Sequence, residues 1–421
     1  NNTYIGFQAG IVSTDATHNV FVGNYSGMTN TSGINNVGIG YGALSGHDGE
    51  NNNIGVGKSV LGAANSGAEY NIGIGNFTLD AVTSGDNNIA IGHSAGGANQ
   101  TGADTVYIGY QAGTACTSSG NVLIGKDAGL SMTSGESNIH IGIRAGDGYD
   151  TESNNLSIGA DALGGSVAGG EYNVAVGNFT LDALTSGDNN VAVGYNAGTS
   201  ITTSSLNTIV GDAAGAILAT GDGRNTIIGK DCFNAGTYTL QTGNNNIALG
   251  ERCKVSATDA NFQFVIGSNV TSNGNSTTTI GYDTTEIATN HGSASWAAVS
   301  DQRYKKDIED STAGLSFIND LRPVTFKFKQ KKELDTDLYG YDANSTDTDG
   351  YTDEVAHGFL AQEIKTAIDN HSEVKAGQEI WKESPEAKGK RQNVSHIGMI
   401  PMLVKAVQEL SAQVTTLQQE I

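Results

Sequence analysis

The chain has 421 residues, and its formal net charge of −22 at pH 7 comes from 44 Asp and Glu against 22 Lys and Arg. So acidic a chain lacks the cationic surface that phosphate groups require, which excludes nucleic acid and anionic membranes as partners. No apolar run approaches the ~20 residues of a membrane-spanning helix, so no membrane insertion is expected. The three cysteines are odd in number and widely spaced, which indicates small buried residues, and we expect no metal and no cofactor.

The composition changes near residue 300. Of the 58 Gly, 51 lie before Ser300, whereas all three Pro lie after it. The first part is Gly-rich and free of Pro, but too regular in sequence for a disordered linker. We therefore treat the two parts separately.

The first part is an array of short repeats. An Ile-Gly or Val-Gly dipeptide recurs every 16 to 18 residues from Gly6 to Gly229 and continues less evenly to Gly281. A 24-residue segment beginning at Glu69 recurs with few changes at Glu171, 102 residues later. A fixed period of this size is typical of a solenoid.

Each repeat has the pattern Asn, apolar, variable, Ile or Val, Gly. Apolar residues two positions apart indicate a strand, so we expect Ile72 and Ile74 to share one side and to point into a thin core. The following Gly suits a corner or a close backbone approach. Aligned Asn residues such as Asn71 and Asn88 are expected to form a ladder across stacked coils. Because one coil cannot bury its own apolar side chains, neighbouring coils and neighbouring chains must complete the core.

Two repeats show a known pattern most clearly, Asn88-Ile89-Ala90-Ile91-Gly92 and Asn190-Val191-Ala192-Val193-Gly194. Residues 1–281 here resemble the heads of trimeric bacterial adhesins. The resemblance implies a left-handed parallel β-roll packed as a homotrimer. The predicted fold class is accordingly mainly β: a repetitive parallel β-roll or β-solenoid trimeric shaft over residues 1–281.

A Ser- and Thr-rich joint, 282–299, leads into a charged, helix-forming segment, 300–421, that carries three motifs. The motifs are Ser300-Asp301-x-Arg303-x-Lys305-x-x-Ile308, Leu321-Arg322-Pro323 and Gly358-Phe359-x-Ala361-Gln362-Glu363. This part resembles the self-processing intramolecular chaperone at the C-termini of phage tail fibres, tailspikes and endosialidases. The resemblance implies a small α+β chaperone domain that assists trimerisation.

The same resemblance implies cleavage in cis of the Val299–Ser300 bond, with Ser300 as nucleophile and Lys305 as general base. A lysine can accept the proton only if burial lowers its pKa. Five residues along a helix would separate the two side chains, so we expect Ser300 in extended chain or at a cap and Lys305 in the first helical turn. Lys306 is the alternative base. His357 could assist proton transfer or an oxyanion, or be purely structural.

The end of the chain, from about 398 to 421, is predicted to be a helix ending in a short coiled coil. Its apolar residues alternate by four and three positions, which is a heptad seam: Leu403, Val407, Leu410, Val414, Leu417 and Ile421. The seam by itself favours two strands. The homotrimer is therefore expected from the resemblances and the thin core.

The sequence thus predicts a virion tail-fibre protein that binds a host-cell surface receptor, expected to be a glycan. Its chaperone is a self-cleaving serine endopeptidase, released in the host cytoplasm during assembly. Two alternatives are a bacterial trimeric surface adhesin and a polysaccharide-degrading tailspike. For the first, the C-terminus offers no outer-membrane strands. For the second, the shaft offers no paired-carboxylate cleft.

Overall fold

The computed structural model describes the chain except residues 64–66, 166–168, 235–239, 293–296, 299–301, 303–305, 337–340, 346–354, 375–379, 384–391 and 421, and the side chains of 297–298. The chain forms two compact units, Asn1–Val299 and Ser300–Ile421.

The first unit is a β-solenoid in which each repeat contributes one short strand to a single sheet. Neighbouring strands from β1 to β17 are parallel and in register, so that Ile72, Gly73 and Ile74 pair with the corresponding residues of the next coil. The strands are β1 (Thr3–Ile5), β2 (Val20–Val22), β3 (Val37–Ile39), β4 (Ile54–Val56), β5 (Ile72–Ile74), β6 (Ile89–Ile91), β7 (Val106–Ile108), β8 (Val122–Ile124), β9 (Ile139–Ile141), β10 (Leu156–Ile158), β11 (Val174–Val176), β12 (Val191–Val193), β13 (Thr208–Val210), β14 (Thr226–Ile228), β15 (Ile247–Leu249), β16 (Gln263–Ser268) and β17 (Thr277–Tyr282). The predicted mainly-β solenoid is confirmed.

Two further strands end this sheet within the segment predicted as a joint. β18 (Thr285–Asn290) pairs antiparallel with β17, and β19 (Ala297–Ala298) pairs antiparallel with β18. Parallel strands need a long connection between them, which each coil supplies, whereas antiparallel strands can be joined by a short turn. The antiparallel pairing of β17 with β18 therefore ends the stacking of coils.

The orientation of the strands differs from the prediction. In β5 the central Gly73 is buried, whereas Ile72 is half-buried and Ile74 is 40 % exposed. The same pattern holds in β6, where Ala90 is buried and Ile89 and Ile91 are each 38 % exposed. The expectation that the paired Ile and Val residues point into the coil is therefore wrong. The coil interior has room for one strand residue, and the two flanking residues point outward.

Several coils obtain their core from one large side chain that comes from either of two positions. In β2 the large residue is Phe21 at the strand centre, and the turn position six residues later is Gly27. A Cβ on Gly27 would lie 2.3 Å from the Phe21 ring. In β3 the sizes are exchanged: the strand centre is Gly38, and the buried Leu44 occupies the turn with a φ of 55°. In these two coils the core is thus filled by complementary sizes.

The predicted amide ladder forms at the start of the strands. The backbone N–H of Asn36 donates to the side-chain Oδ1 of Asn19 (2.8 Å), and the Nδ2 of Asn36 donates to the carbonyl oxygen of Glu50 (2.7 Å). Asn53 repeats both bonds one coil later. These side chains are buried, so the ladder satisfies backbone groups of the turn that water cannot reach.

The repeated Gly after each strand allows a close approach between coils. Gly40 has a φ of 132°, and a Cβ there would lie 2.2 Å from the carbonyl oxygen of Gly57. No other residue fits such a contact. The repeated Ile/Val-Gly dipeptide is therefore explained by backbone packing along the axis.

The described residues of the second unit form three α-helices and two small strand pairs. Its elements are α1 (Leu315–Asn319), β20 (Val324–Phe326), β21 (Ala356–Gly358), α2 (Ala361–Asn370), β22 (Trp381–Glu383), β23 (Gln392–Val394) and α3 (Ile400–Glu420), with 3-10 turns at Lys331–Glu333, Ser372–Val374 and Ile397–Met399. β20 pairs antiparallel with β21, and β22 with β23. Phe317, Ile364, Ile368 and Met399 form the centre of its core. The α+β character and the terminal helix agree with the prediction.

α1 and α3 are joined by a capping bond. The Oε2 of Glu409 accepts a hydrogen bond from the backbone N–H of Leu315 (2.8 Å), the first residue of α1. A carboxylate at this position satisfies a free N–H and faces the positive end of the helix. The apolar residues of the predicted seam lie exposed along α3, from Leu403 (45 %) to Leu417 (59 %).

Candidate functional site

The predicted cleavage residues Val299, Ser300 and Lys305 lie outside the described residues, so their geometry stays a prediction. The alternative base Lys306 is described and its side chain is exposed. The segment 306–313 has no helix, Asp307 has a φ of 53°, and α1 begins only at Leu315. The expectation that Lys305 lies in a first helical turn falls on a residue outside those described, so it stays a prediction.

His357 lies at the centre of β21, opposite Thr325 of β20, and its side chain is exposed. A second histidine, His396, lies near the end of the same strand. Its ring packs edge-on against Phe359, with centroids 5.7 Å apart, and a Cβ on Gly358 would lie 3.7 Å from it. The sequence singled out His357 alone, because the 38 residues between the two histidines gave no sign of proximity.

The two downstream motifs meet in the fold. Arg322 of the Leu-Arg-Pro motif donates from Nε to the Oε2 of Glu363 (3.1 Å), and its Nη2 donates to the other carboxylate oxygen. This bidentate pairing raises the pKa of Arg322 further above its ordinary value. The pair therefore joins the turn after α1 to the first turn of α2.

A cleft of about 370 Å³ lies beside this ion pair. Leu321, Phe359 and Ile364 supply apolar walls, while Arg322 and Glu363 supply charge. In the described part of the chain, no group of three or more His, Cys, Asp or Glu could hold a metal.

The strongest electrostatic cluster of the unit was not found from the sequence. His371 follows α2, and its two ring nitrogens lie 2.8 Å from the Oδ2 of Asp320 and 2.7 Å from the Oε1 of Glu373. Hydrogen bonds to Asp320 and Glu373 raise the pKa of His371 above its ordinary value. The two carboxylates on either side of the imidazole join the residues that follow α1 to those that follow α2.

The shaft holds its thiols and its buried acids in structural positions. Cys116, Cys232 and Cys253 are free and buried, which confirms the expected role as small core residues. The buried Glu50 accepts hydrogen bonds from the backbone N–H groups of Asp48 (2.7 Å) and Gly67 (3.1 Å). None of the helices in the described residues is both long and apolar enough to cross a membrane.

The fold places the chain in a structural class in which a long parallel β-solenoid is followed by a small α+β unit with a terminal helix. Residues 300–373 match a peptidase-family model described as chaperone of endosialidase. The match implies, at a coarse level, a self-cleaving peptidase, and with the solenoid it is consistent with a tail-fibre or tailspike protein carrying a C-terminal chaperone domain. Comparisons with curated proteins and with solved structures found no match.

Proposed function

We propose that this chain is a bacteriophage tail-fibre protein whose residues 1–299 form a trimeric shaft. Residues 300–421 would act as an intramolecular chaperone that directs trimerisation and then cuts itself off. One observation carries the proposal: the match to the chaperone family begins at Ser300, where the second compact unit also begins. A cut at that position would separate two units that each have their own core.

The proposed chemistry is attack by the Oγ of Ser300 on the carbonyl carbon of Val299. The neutral amine of Lys305 would take the hydroxyl proton, and the proton would then pass to the departing backbone nitrogen of Ser300. The resulting ester would be hydrolysed by water. Lys306 is the weaker candidate for the base, because its exposed side chain lacks the burial that favours a neutral amine. An accessory role in proton transfer is proposed for His357.

Two features support a trimer directed by the chaperone. α3 leaves the apolar residues Leu403, Val407 and Leu410 between 45 % and 65 % exposed, which suits pairing with further copies of the helix. A shaft of near-identical coils can also pair out of register, since one coil resembles the next. Alignment of three C-terminal units before the coils associate would prevent that error.

For the shaft in the virion we propose a host-surface glycan as receptor. Aromatic side chains lie in rows along neighbouring coils, as at the half-buried Tyr25 and the exposed Tyr41, whose ring centroids are 5.6 Å apart. Aromatic rings offer an apolar surface with a polar edge, which suits the mixed surface of a sugar. The released chaperone would remain in the host cytoplasm.

The test is the mass of the expressed chain under denaturing conditions. We expect the 43.4 kDa chain to be replaced by fragments 1–299 and 300–421. Ser300→Ala and Lys305→Met should both stay whole, while the matched Lys306→Met should be cut at the wild-type rate. A wild-type chain that stays whole, or a Ser300→Ala chain that is still cut after Val299, would contradict the proposed mechanism.

A further inference from the structure

An apolar stripe follows the outer side of the shaft's sheet along its whole length. We call it the strand face; it consists of the first and third residues of strands β1 to β15 and the aligned outward residues of β16 and β17. Its most exposed members, each between 36 % and 60 % exposed, are Ile5, Ile39, Ile54, Ile74, Ile89, Ile91, Ile139, Ile158, Val191, Val193, Ile228, Leu249, Phe264, Ile266 and Ile280. The remaining members of β1 to β15 are half-buried or, like Thr3 and Thr208, exposed.

The composition of the strand face differs from that of an ordinary solvated sheet. In β1 to β15 every strand-face position is Ile, Val or Leu except for Thr3, Thr208 and Thr226. Residues 1–299 contain 23 Asp and Glu and seven Lys and Arg, and none of them lies on these positions. A sheet with one side in water normally alternates apolar and polar residues. Here the outward side of the strands is apolar, as are most of the buried strand centres.

The exposed area is too large for an isolated surface. The most exposed side chains alone leave on the order of 1,000 Å² of apolar surface, above the ~300–600 Å² of the largest patch on a typical monomer and comparable with the ~800 Å² that one partner contributes to a standard interface. A β-branched ladder of this kind is also flat and regular. It therefore fits a surface with the same regular spacing.

Charge restricts which partner can approach. The remainder of the shaft carries a net charge of −16, from the 23 acidic and seven basic residues, so other sides of two shafts repel one another. The uncharged strand face is where two copies can approach without burying unpaired charge. A second copy also repeats the same coil spacing over the same length, which no unrelated globular partner does.

We infer that the strand face is the interface along which copies of this chain pack, each copy placing its strand face against those of the other two. The inference rests on the proposed trimeric fibre and specifies its packing surface. It places the Ile and Val residues in a core shared between chains, outside the core of each coil. The aromatic rows and the turns then remain the surface available to a receptor.

Two equivalent positions, 102 residues apart, allow a matched test. Ile91→Asp with Val193→Asp places charge on the strand face, while Ser84→Asp with Ser186→Asp places the same charge on exposed turns of the same coils. After purification, the molar mass of the shaft is measured by sedimentation equilibrium. We expect a trimer for wild type and for the Ser variants, and a mass of one third for the strand-face variants with an unchanged far-ultraviolet spectrum.

A second measurement tests the same interface in case the Asp variants fail to fold. Ile91→Cys, on the strand face, should give chains covalently linked by a short bis-maleimide reagent, whereas Ser84→Cys, on an exposed turn, should not. The native cysteines are buried, so they should not contribute cross-links. Strand-face Asp variants that stay trimeric, absent cross-links at Ile91→Cys, or capture of a lipid or a foreign protein by a monomeric shaft would each overturn the inference. The cleavage assay is independent, so an uncut but strand-face-linked trimer would contradict only the proposed mechanism.

Discussion

At the scale of single residues, His140 shows how burial inside the shaft changes the pKa of a side chain. Its imidazole occupies the strand-centre position of β9, fully buried, with Nδ1 2.8 Å from the Oγ of Ser157 and the ring packed against Tyr149. Its Nε2 has no hydrogen-bond partner in the described part of the chain. Burial lowers the pKa of His140 to about 4, so the ring is neutral near pH 7.

We predict that this histidine makes the shaft sensitive to acid. Because the folded pKa lies below the ordinary 6.5, the unfolded chain binds the proton first, and stability is lost as the pH falls from about 6.5 towards 4. The full shift corresponds to about 3 kcal/mol. His140→Leu, which copies Leu123 of the preceding coil, should weaken the dependence of the unfolding midpoint on pH.

The control for this prediction is the exposed His93. His93→Leu should leave the pH profile of the shaft unchanged. Part of the acid sensitivity should persist in His140→Leu, because burial also lowers the pKa of His47 to about 4. An unaltered profile in His140→Leu, measured by thermal unfolding between about pH 4 and pH 7, would show that the buried imidazole does not titrate on unfolding.

At the scale of elements, the coil is the unit in which packing is decided. Two positions six residues apart share the space for one large side chain, as Phe21 with Gly27 and Gly38 with Leu44 show. The turn position has a positive φ in either case, so a Leu there is strained by ~1–2 kcal/mol relative to Gly. Between these two coils the position that supplies the large side chain changes.

We predict that the two positions of a coil can be exchanged as a pair. Phe21→Gly alone should cost about 3–5 kcal/mol through the cavity that it leaves, and Gly27→Leu alone should cost at least ~1–3 kcal/mol through collision with the Phe21 ring. The double variant recreates the arrangement of Gly38 and Leu44. Its stability in chemical unfolding should exceed that of either single variant.

If the losses in unfolding free energy of the two single variants simply add in the double variant, the two positions are independent. The proposal that they share one volume is then wrong. A matched comparison is the pair Phe21→Gly with Gly42→Leu. A Cβ at Gly42 would make only ordinary contacts, at 3.8 Å from the Oγ atoms of Ser45 and Ser59, and would not meet the Phe21 ring, so a Leu there gives no compensation.

At the scale of the whole molecule, stacking makes the coils depend on one another. Each coil donates backbone hydrogen bonds to the amide side chains of the preceding coil, as Asn36 does to Asn19 and Asn53 to Asn36. Such a stack is stabilised mostly by contacts between neighbours, and it can begin in more than one register. A templating unit is therefore useful during assembly and unnecessary afterwards.

We predict that cleavage makes the assembled shaft kinetically stable. The cut shaft and the uncut Ser300→Ala chain should unfold at similar denaturant concentrations, but after dilution only the uncut chain should recover its trimer in high yield. The measurement is the trimer yield by sedimentation. Equal recovery of both samples would show that the C-terminal unit carries no information needed for assembly.

The sequence alone determined the repeat, its parallel stacking, the amide ladder and the need for Gly after each strand, because each is a periodic requirement of the backbone. It also located the division of the chain near residue 300, where the composition and the motifs change. It did not reveal His371 or His396, since their partners Asp320 and Phe359 are brought to them only by packing.

The tertiary structure decided which side of each strand lies inside. A period of two shows that Ile72 and Ile74 share one side and Gly73 the other, but it does not say which side is the interior. The width of the coil decides, because it has room for one strand residue and one turn residue such as Leu79. The conspicuous Ile and Val residues are therefore turned outward, where a single chain leaves them exposed.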